Sequence, residues 1–321
     1  MVLEFRVSAE ESGLRLDKLL AQHAPTWSRT RWQAQLAAGR VQVDGRVVAA
    51  PAFVVAEGHW VAAQAPEELA ASTDLSYEPL PVEVPIRYQD ESLLVVAKPA
   101  GVVVHPAAGH AHGTLVQALW PALAGAGGPP TRVGVVHRLD RDTAGLMMLA
   151  RTAAARTALS AQLARREVHR RYWALVQGAP MPPEGRIDAP IGRHPRHRQR
   201  MAVIASGRPA VTRYRTLATW AGYSWLALEL ETGRTHQVRV HLAALGYPVV
   251  ADPVYGSGPA LGLEYQALFA YALAFLHPVL PRRQVTVVEP WPLAWSAALA
   301  MLGDPAIGAI PERSESRPVL P

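Results

Sequence analysis

The chain has 321 residues, half of them hydrophobic, with a net charge of +6 and an isoelectric point near 9.9. That length exceeds one typical domain, so two are expected, and the apolar half suffices for a sizeable core. The absence of cysteine excludes disulfides, thiolate nucleophiles and thiolate metal sites, while the basic balance favours an anionic partner. Lys18 and Lys98 are the only lysines, so arginine carries nearly all the positive charge. Genomic base composition accounts for that as readily as phosphate recognition does. The amino terminus, MVLEFRVSAEESG, has no signal-peptide core, and no apolar run reaches the roughly 20 residues of a membrane span. A cytoplasmic protein that does not engage a membrane is expected.

Along the chain, LRLDKLL (14–20) opens a helix with Leu16, Leu19 and Leu20 on its apolar side. Ser28 is an N-cap candidate for a second helix, RTRWQAQLAAG, which Gly39 ends. In VQVDGRVV, Asp44-Gly45 between alternating valines signals a hairpin. Two short helices and a hairpin thus make a compact basic module carrying Arg15, Lys18, Arg29, Arg31, Arg40 and Arg46. In GLRLDKLLAQ, SRTRWQ and GRVQVDG the module resembles the S4 RNA-binding domain over residues 13–65. The plainer reading of its arginines is a solvated helix face.

Residues 66–81 read as a linker between a first domain at 1–65 and a second at 82–302. The second domain opens with strands at 93–97 and 102–104 flanking the turn Lys98-Pro99-Ala100-Gly101. A helix is expected at 114–120, a surface loop at 125–130, a strand at 146–149, a helix at 153–166 and a strand at 171–176. Further strands are expected at 210–217, 224–230, 268–275 and 284–288, with a terminal helix at 293–301 and a disordered tail at 303–321. The segment 235–244 alternates loosely like a strand, but Gly246 at its end favours a helix. Strands outnumber helices and many are joined by hairpins, so the expected class is α+β with a large mixed, mainly antiparallel sheet. No GxxxxGKS/T or GxGxxG loop supports a nucleotide cofactor.

Three charged clusters stand out. HRLDRDTAG (137–145) packs two acids, two arginines and a histidine between apolar runs. Asp140 and Asp142 would share a face on a strand. Either could instead order a turn by accepting backbone N–H bonds near Ala144. His137 is a candidate base, though an isolated histidine is more often a packing residue. In ETGRTHQVR (231–239), a guanidinium placed by Gly233 could pair with a buried carboxylate and keep it ionised. His236 and His241 lack the companion ligands of a metal site. GRHPRHRQR (192–200) reads as a basic loop whose Arg193, Arg196, Arg198 and Arg200 either contact phosphate or are merely solvated.

VVAKPAGVVVHP, HRLDRDTAG, RRYWALVQG, LETGRTHQVRVH and LFAYALAFLHP, in that order after an S4-like module, resemble the successive motifs of the RluA-type pseudouridine synthases. GTLVQAL, APIGRHP, MAV, GRPAVTRY and ADPVYG further resemble the D-type branch, which acts on the decoding-facing stem-loop of large-subunit ribosomal RNA. The resemblance implies the pseudouridine synthase fold and isomerisation of uridine with no cofactor and no metal. It implies 23S ribosomal RNA or the assembling large subunit as partner, with no obligatory protein partner and a monomeric chain. On this resemblance Asp140 is the catalytic aspartate, Arg234 the arginine paired with it, and Tyr172 the ring that stacks on uracil. Arg138, with His137 beside it, is the residue expected to enter the RNA stack where the uridine leaves. Where relatives commonly have His-Ala, this chain has Phe269-Ala270, which puts one packing detail in doubt. The alternatives are a noncatalytic RNA-binding or ribosome-assembly factor, an RNA glycosylase releasing free uracil, or a synthase of another branch acting on other rRNA or tRNA uridines.

Overall fold

The computed structural model describes residues 2–24, 29–64, 77–107, 110–127, 132–197, 200–280 and 282–303. Ser28, Arg198, most of the linker, the end of the 125–130 loop and the tail beyond Gly303 lie outside these residues. The chain divides into two compact units, Met1–Asp74 and Leu75–Pro321.

The first unit sets helices α1 (Leu16–His23) and α2 (Arg29–Ala37) against a sheet of β1 (Val2–Arg6), β2 (Val41–Val43), β3 (Arg46–Val47) and β4 (Trp60–Gln64). The strand order is β1-β4-β2-β3. Leu16, Leu19, Leu20, Trp32, Leu36, Val41 and Val61 are fully buried and form this unit's own core. Asp44 (φ 51°) and Gly45 (φ 74°) both adopt positive φ, as a two-residue hairpin with the twist of its strands requires. Asp17 is also fully buried, and accepts bonds from Arg15 Nε (3.1 Å), Arg29 Nε (2.9 Å) and Gln33 Nε2 (2.7 Å). Burial opposes its charge, but these donors outweigh burial and bring its carboxyl down to about 2. Arg15 and Arg29 are therefore committed to an internal acid as well as being about half exposed, whereas Lys18 is exposed.

In the second unit the chain runs β5 (Ile86–Gln89), β6 (Leu93–Lys98), α3 (Leu115–Ala118), α4 (Trp120–Leu123), β7 (Ala144–Ala150), α5 (Ala153–Ala164) and β8 (His169–Gln177). It continues through β9 (Glu184–Asp188), β10 (Ile191–Arg193), β11 (Met201–Val203), β12 (Val211–Trp220) and β13 (Tyr223–Leu230). Helix α6 (Gln237–Ala244), β14 (Leu268–Leu276), β15 (Gln284–Val288) and α7 (Leu293–Met301) follow. Among the described residues the main sheet has the order β5-β6-β7-β14-β8-β13-β12-β9, with β15 added to β14. Every pair is antiparallel except β7 with β14, where Ala144 and Gly145 face Phe269 and Ala270. A Cβ on Gly145 would overlap the Ala270 backbone, so only glycine lets the two strands approach there.

Both faces of the sheet centre are covered. Leu93, Val95, Leu146 and Met148 point towards α5, while Leu94, Val96, Met147 and Leu149 point into the larger core. This explains why β6 and β7 read as continuous apolar runs. The expected strand at 102–104 is instead an irregular segment joined by a single bridge, Val103 to Thr114, because the turn at Gly101 (φ 80°) carries it off the sheet. The described residues of the expected basic loop, 192–197 and 200, lie at the end of a hairpin, β10 with β11. Gly192 and Gly207 pack so closely that side chains there would collide with Ile204 and Ile191. Phe269 stacks on Trp173 (6.2 Å between ring centres) and meets the edge of Trp295 on α7, so an aromatic cluster surrounds it. Among the described residues no helix is long and apolar enough to cross a membrane.

Candidate active site

A cavity of about 540 Å³ opens where the loop before β7, strand β8 and the β13–α6 connection meet. The loop 137–143 is tethered from every side. Leu139 is sunk in the core, and Gln266 Nε2 donates to Thr143 Oγ1 at 2.6 Å. The fully buried Lys98 donates to the carbonyls of Pro99 (2.7 Å), Val102 (2.9 Å) and Arg141 (2.8 Å). Burial pushes the Lys98 ammonium down to about 7, against the pull of Asp140 and then Asp142. His137 accepts the N–H of Met148 on Nε2 at 3.1 Å, and burial, with Arg170 adding to it, drives its imidazolium down to about 3. It is a neutral strap on β7 at the cavity wall, so it supplies no positive charge to an RNA.

Asp140 projects from this tethered loop, and its partner corrects the sequence expectation. Arg239 Nη1 donates to Asp140 Oδ2 at 3.0 Å, whereas Arg234 turns its Nε to the carbonyl of Pro209, also at 3.0 Å. The reason is helical register. Arg234 precedes α6, but Arg239 lies inside it, on the side facing the loop. Asp252 fixes that guanidinium through Nε (2.7 Å) and Nη2 (2.9 Å), while Asp252 Oδ1 also accepts the N–H groups of Val254 and Tyr255. Burial works against the charge on both partners. Their mutual bonds prevail, so Asp252 is lowered and Arg239 raised. Arg239 lies in the LETGRTHQVRVH run and Asp252 in ADPVYG, and nothing in either run marks the two as partners. Asp142 bonds to the Arg141 guanidinium (2.8 and 3.1 Å) rather than capping the turn as expected.

Strand β8 places Tyr172 and, two residues earlier, Arg170 on the same cavity wall. Burial raises the Tyr172 hydroxyl, with Arg170 opposing, so the ring enters chemistry as a neutral phenol. The third wall is organised by Gln237. It accepts from Thr232 Oγ1 (2.7 Å) and Arg234 N (3.0 Å) and donates to Val211 O (2.9 Å) and Thr212 Oγ1 (3.0 Å). His236, at the start of α6, takes a left-handed backbone (φ 57°), a local strain that turns β13 sharply into the helix. His241 is a packing residue, bonded through its ring to Thr212 Oγ1 and Ala189 O, both at 2.9 Å.

Of the residues expected in a site, the cavity gathers His137, Arg138, Asp140, Tyr172 and Arg234. Arg138 is exposed at its rim. Arg193, Arg196 and Arg200 belong to the β10–β11 hairpin and do not line it. Tyr255 links hairpin and site: its hydroxyl accepts Met201 N (2.8 Å), and its ring lies 5.3 Å from the Arg200 guanidinium and 5.1 Å from that of Arg239. Arg15, Lys18, Arg29 and Arg31 are in the first unit.

Residues 92–244 match the family described as RNA pseudouridylate synthase, and residues 14–61 match the S4 domain. A ribosomal large subunit pseudouridine synthase D from Nitrosomonas europaea is 40% identical over 99% of this chain and 91% of its own length. The chain belongs to the RluA-type RNA pseudouridine synthases. Members of this family isomerise uridine within RNA. The synthase D of Pseudomonas aeruginosa is 47% identical over 78% of this chain and 76% of its own. Among solved structures, human RNA pseudouridylate synthase domain containing 1 aligns with a TM-score of 0.54 at 29% identity, covering 67% of this chain and 86% of that one. The pseudouridine synthase fold and the appended S4 domain account for the two units described above.

Proposed function

We propose that the chain converts specific uridines of 23S ribosomal RNA to pseudouridine, in the decoding-facing stem-loop that the D-type branch modifies. The observation that carries this reading is the carboxylate of Asp140, held by Arg239 in a cavity it shares with Tyr172. The N1–C1′ bond of uridine breaks and a C1′–C5 bond forms, so no atom is lost and no electron is transferred to a cofactor. Asp140, as a carboxylate, either attacks C1′ or removes the C2′ proton to give a glycal. Arg239 orients it and compensates its charge. The Tyr172 ring stacks on the uracil, and its oxygen faces the C5 proton that must leave after the base turns over. Arg138 at the rim fills the stack vacated by the extruded nucleotide, an extrusion that costs a few kcal/mol in a duplex and less in a strained loop. Residues 1–65 act as an RNA-gripping module, residues 66–81 as a linker, and 82–302 as the catalytic domain, while the hairpin arginines contact phosphate.

The test is Asp140→Asn, assayed on transcribed 23S RNA by mass spectrometry. RNA binding within about twofold of wild type, with conversion reduced by more than about 10³-fold, is expected. Undiminished conversion by the folded variant would remove Asp140 from the chemistry. Binding without conversion by the unaltered chain would favour the RNA-binding-factor reading. Mapping pseudouridines in ribosomal RNA with and without the gene tests the stem-loop.

A further inference from the structure

Two arginines are almost completely buried at this cavity, and they are treated oppositely by the fold. Arg239 is 4% exposed and is met by two carboxylates. Arg170 is 6% exposed, and among the described residues no carboxylate forms an ion pair with it. Its Nη2 reaches only the carbonyl of Leu230, at 3.3 Å, and its buried Nε has no partner among the described residues. Its Nη1 occupies the space where a Cβ of residue 233 would stand, 2.6 Å away, so Gly233 is the residue that makes room for this guanidinium. The surroundings add positive charge. Arg234, Arg166 and Arg170 line the same cavity, and Arg234 has its own proton affinity lowered by burial and then by Arg208, Arg166 and Arg170.

An arginine stays charged in any protein environment, so burying one without an acid costs stability that the fold does not recover by itself. The missing acceptor is an anion with two oxygens in one plane, able to take a guanidinium edge-on, and a phosphodiester has that geometry. We propose that Arg170, assisted by Arg234, forms a subsite for a backbone phosphodiester adjoining the uridine held between Asp140 and Tyr172. The inference rests on the reading of the cavity as an RNA site, and it gives that site an anchor for the sugar-phosphate backbone on the wall that carries Tyr172. Gly233 in the ETGRT segment then serves the guanidinium of β8, rather than the placement of Arg234.

The test compares the full-length chain with Arg170→Gln, Arg170→Lys and Gly233→Ala, measuring affinity for a 23S RNA transcript across a salt series, thermal midpoint and conversion. Arg170→Gln should bind about tenfold more weakly at low salt, and its dependence of log K on log salt should flatten by about 0.7–0.9, the contribution of one phosphate. Its thermal midpoint should equal or exceed that of wild type, because an unpaired buried charge has been removed. Arg170→Lys should keep the wild-type salt slope, and Gly233→Ala, which displaces the guanidinium, should lose it. An unchanged slope in Arg170→Gln, or a lowered midpoint with unchanged affinity, makes Arg170 a structural residue and overturns the subsite. Should Arg170→Gln not fold, that too overturns it if Gly233→Ala keeps the full slope. A chain that binds RNA with the expected slope changes yet makes no pseudouridine sinks the proposed reaction and leaves the subsite standing. Normal conversion with an unchanged slope does the reverse.

Discussion

Asp140 and Asp252 share one guanidinium: Arg239 gives Nε and Nη2 to Asp252 and Nη1 to Asp140. Asp252 is fully buried and Asp140 partly open to the cavity, so the buried acid holds the arginine and the arginine holds the reactive one. The arrangement keeps a carboxylate in place without drawing on the donors a substrate would need.

Arg239→Gln and Arg234→Gln should therefore behave differently. The first strands Asp252 inside the protein and should cost about 3–5 kcal/mol, with conversion falling at least a hundredfold. The second loses one bond to a backbone carbonyl, worth about 0.5–1.5 kcal/mol, and should mainly raise the RNA concentration at half-saturation. Urea unfolding and single-turnover kinetics check both. Equal losses of single-turnover rate would restore Arg234 to the pairing role that the family resemblance implies.

Lys98 gives an alkaline signature. Its pKa is about 7 in the fold against the ordinary lysine value of 10.5, so between these values the unfolded chain holds the proton and the folded chain does not. Stability must then rise with pH across that window. Relative to Lys98→Met, the wild-type chain should gain stability from about pH 7 towards pH 10, read from urea midpoints. A constant difference would mean that Lys98 keeps its proton.

Acid should act through buried histidines, His236 and His241 among them, before it reaches the carboxylates. Burial lowers His137 to about 3 and His105 to about 4, from 6.5. Below 6.5 the unfolded state takes up protons that the folded state refuses, so stability falls as pH drops from 6.5 to about 4. The slope is about 1.4 kcal/mol per pH unit for each histidine. His105→Leu should remove one such share. Asp17 and Asp90, both near 2, contribute only at lower pH.

In the first unit, Arg15→Ala and Lys18→Ala separate structure from RNA contact. Arg15 supports buried Asp17, so its loss should lower stability by about 1–3 kcal/mol as well as affinity. Lys18 is exposed, and its loss should weaken RNA binding alone. Melting and salt-dependent binding of the two variants decide it.

Much of this molecule follows from local pattern. Alternation in β12 and β13, the Asp44-Gly45 hairpin and the stop at Gly246 follow from side-chain period and backbone sterics, which act over a few residues. The family motifs likewise single out Asp140, Tyr172 and Arg138 from local sequence. Partnership was not legible in the same way. Arg234 and Arg239 look alike along the chain. Only the turn into α6 at His236 decides which one reaches a loop 99 residues away. The unpaired state of Arg170 and the purpose of Gly233 are similarly invisible in RRYWALV and ETGRT. Composition counts charges, but whether a charge is compensated depends on which distant strands and loops pack around it. The sequence by itself determined most of the central strands and helices, the family and the candidate aspartate. Tertiary structure decided which arginine serves that aspartate and which stands ready for an anion, because ion pairing falls off within a few ångströms and only packing sets those distances.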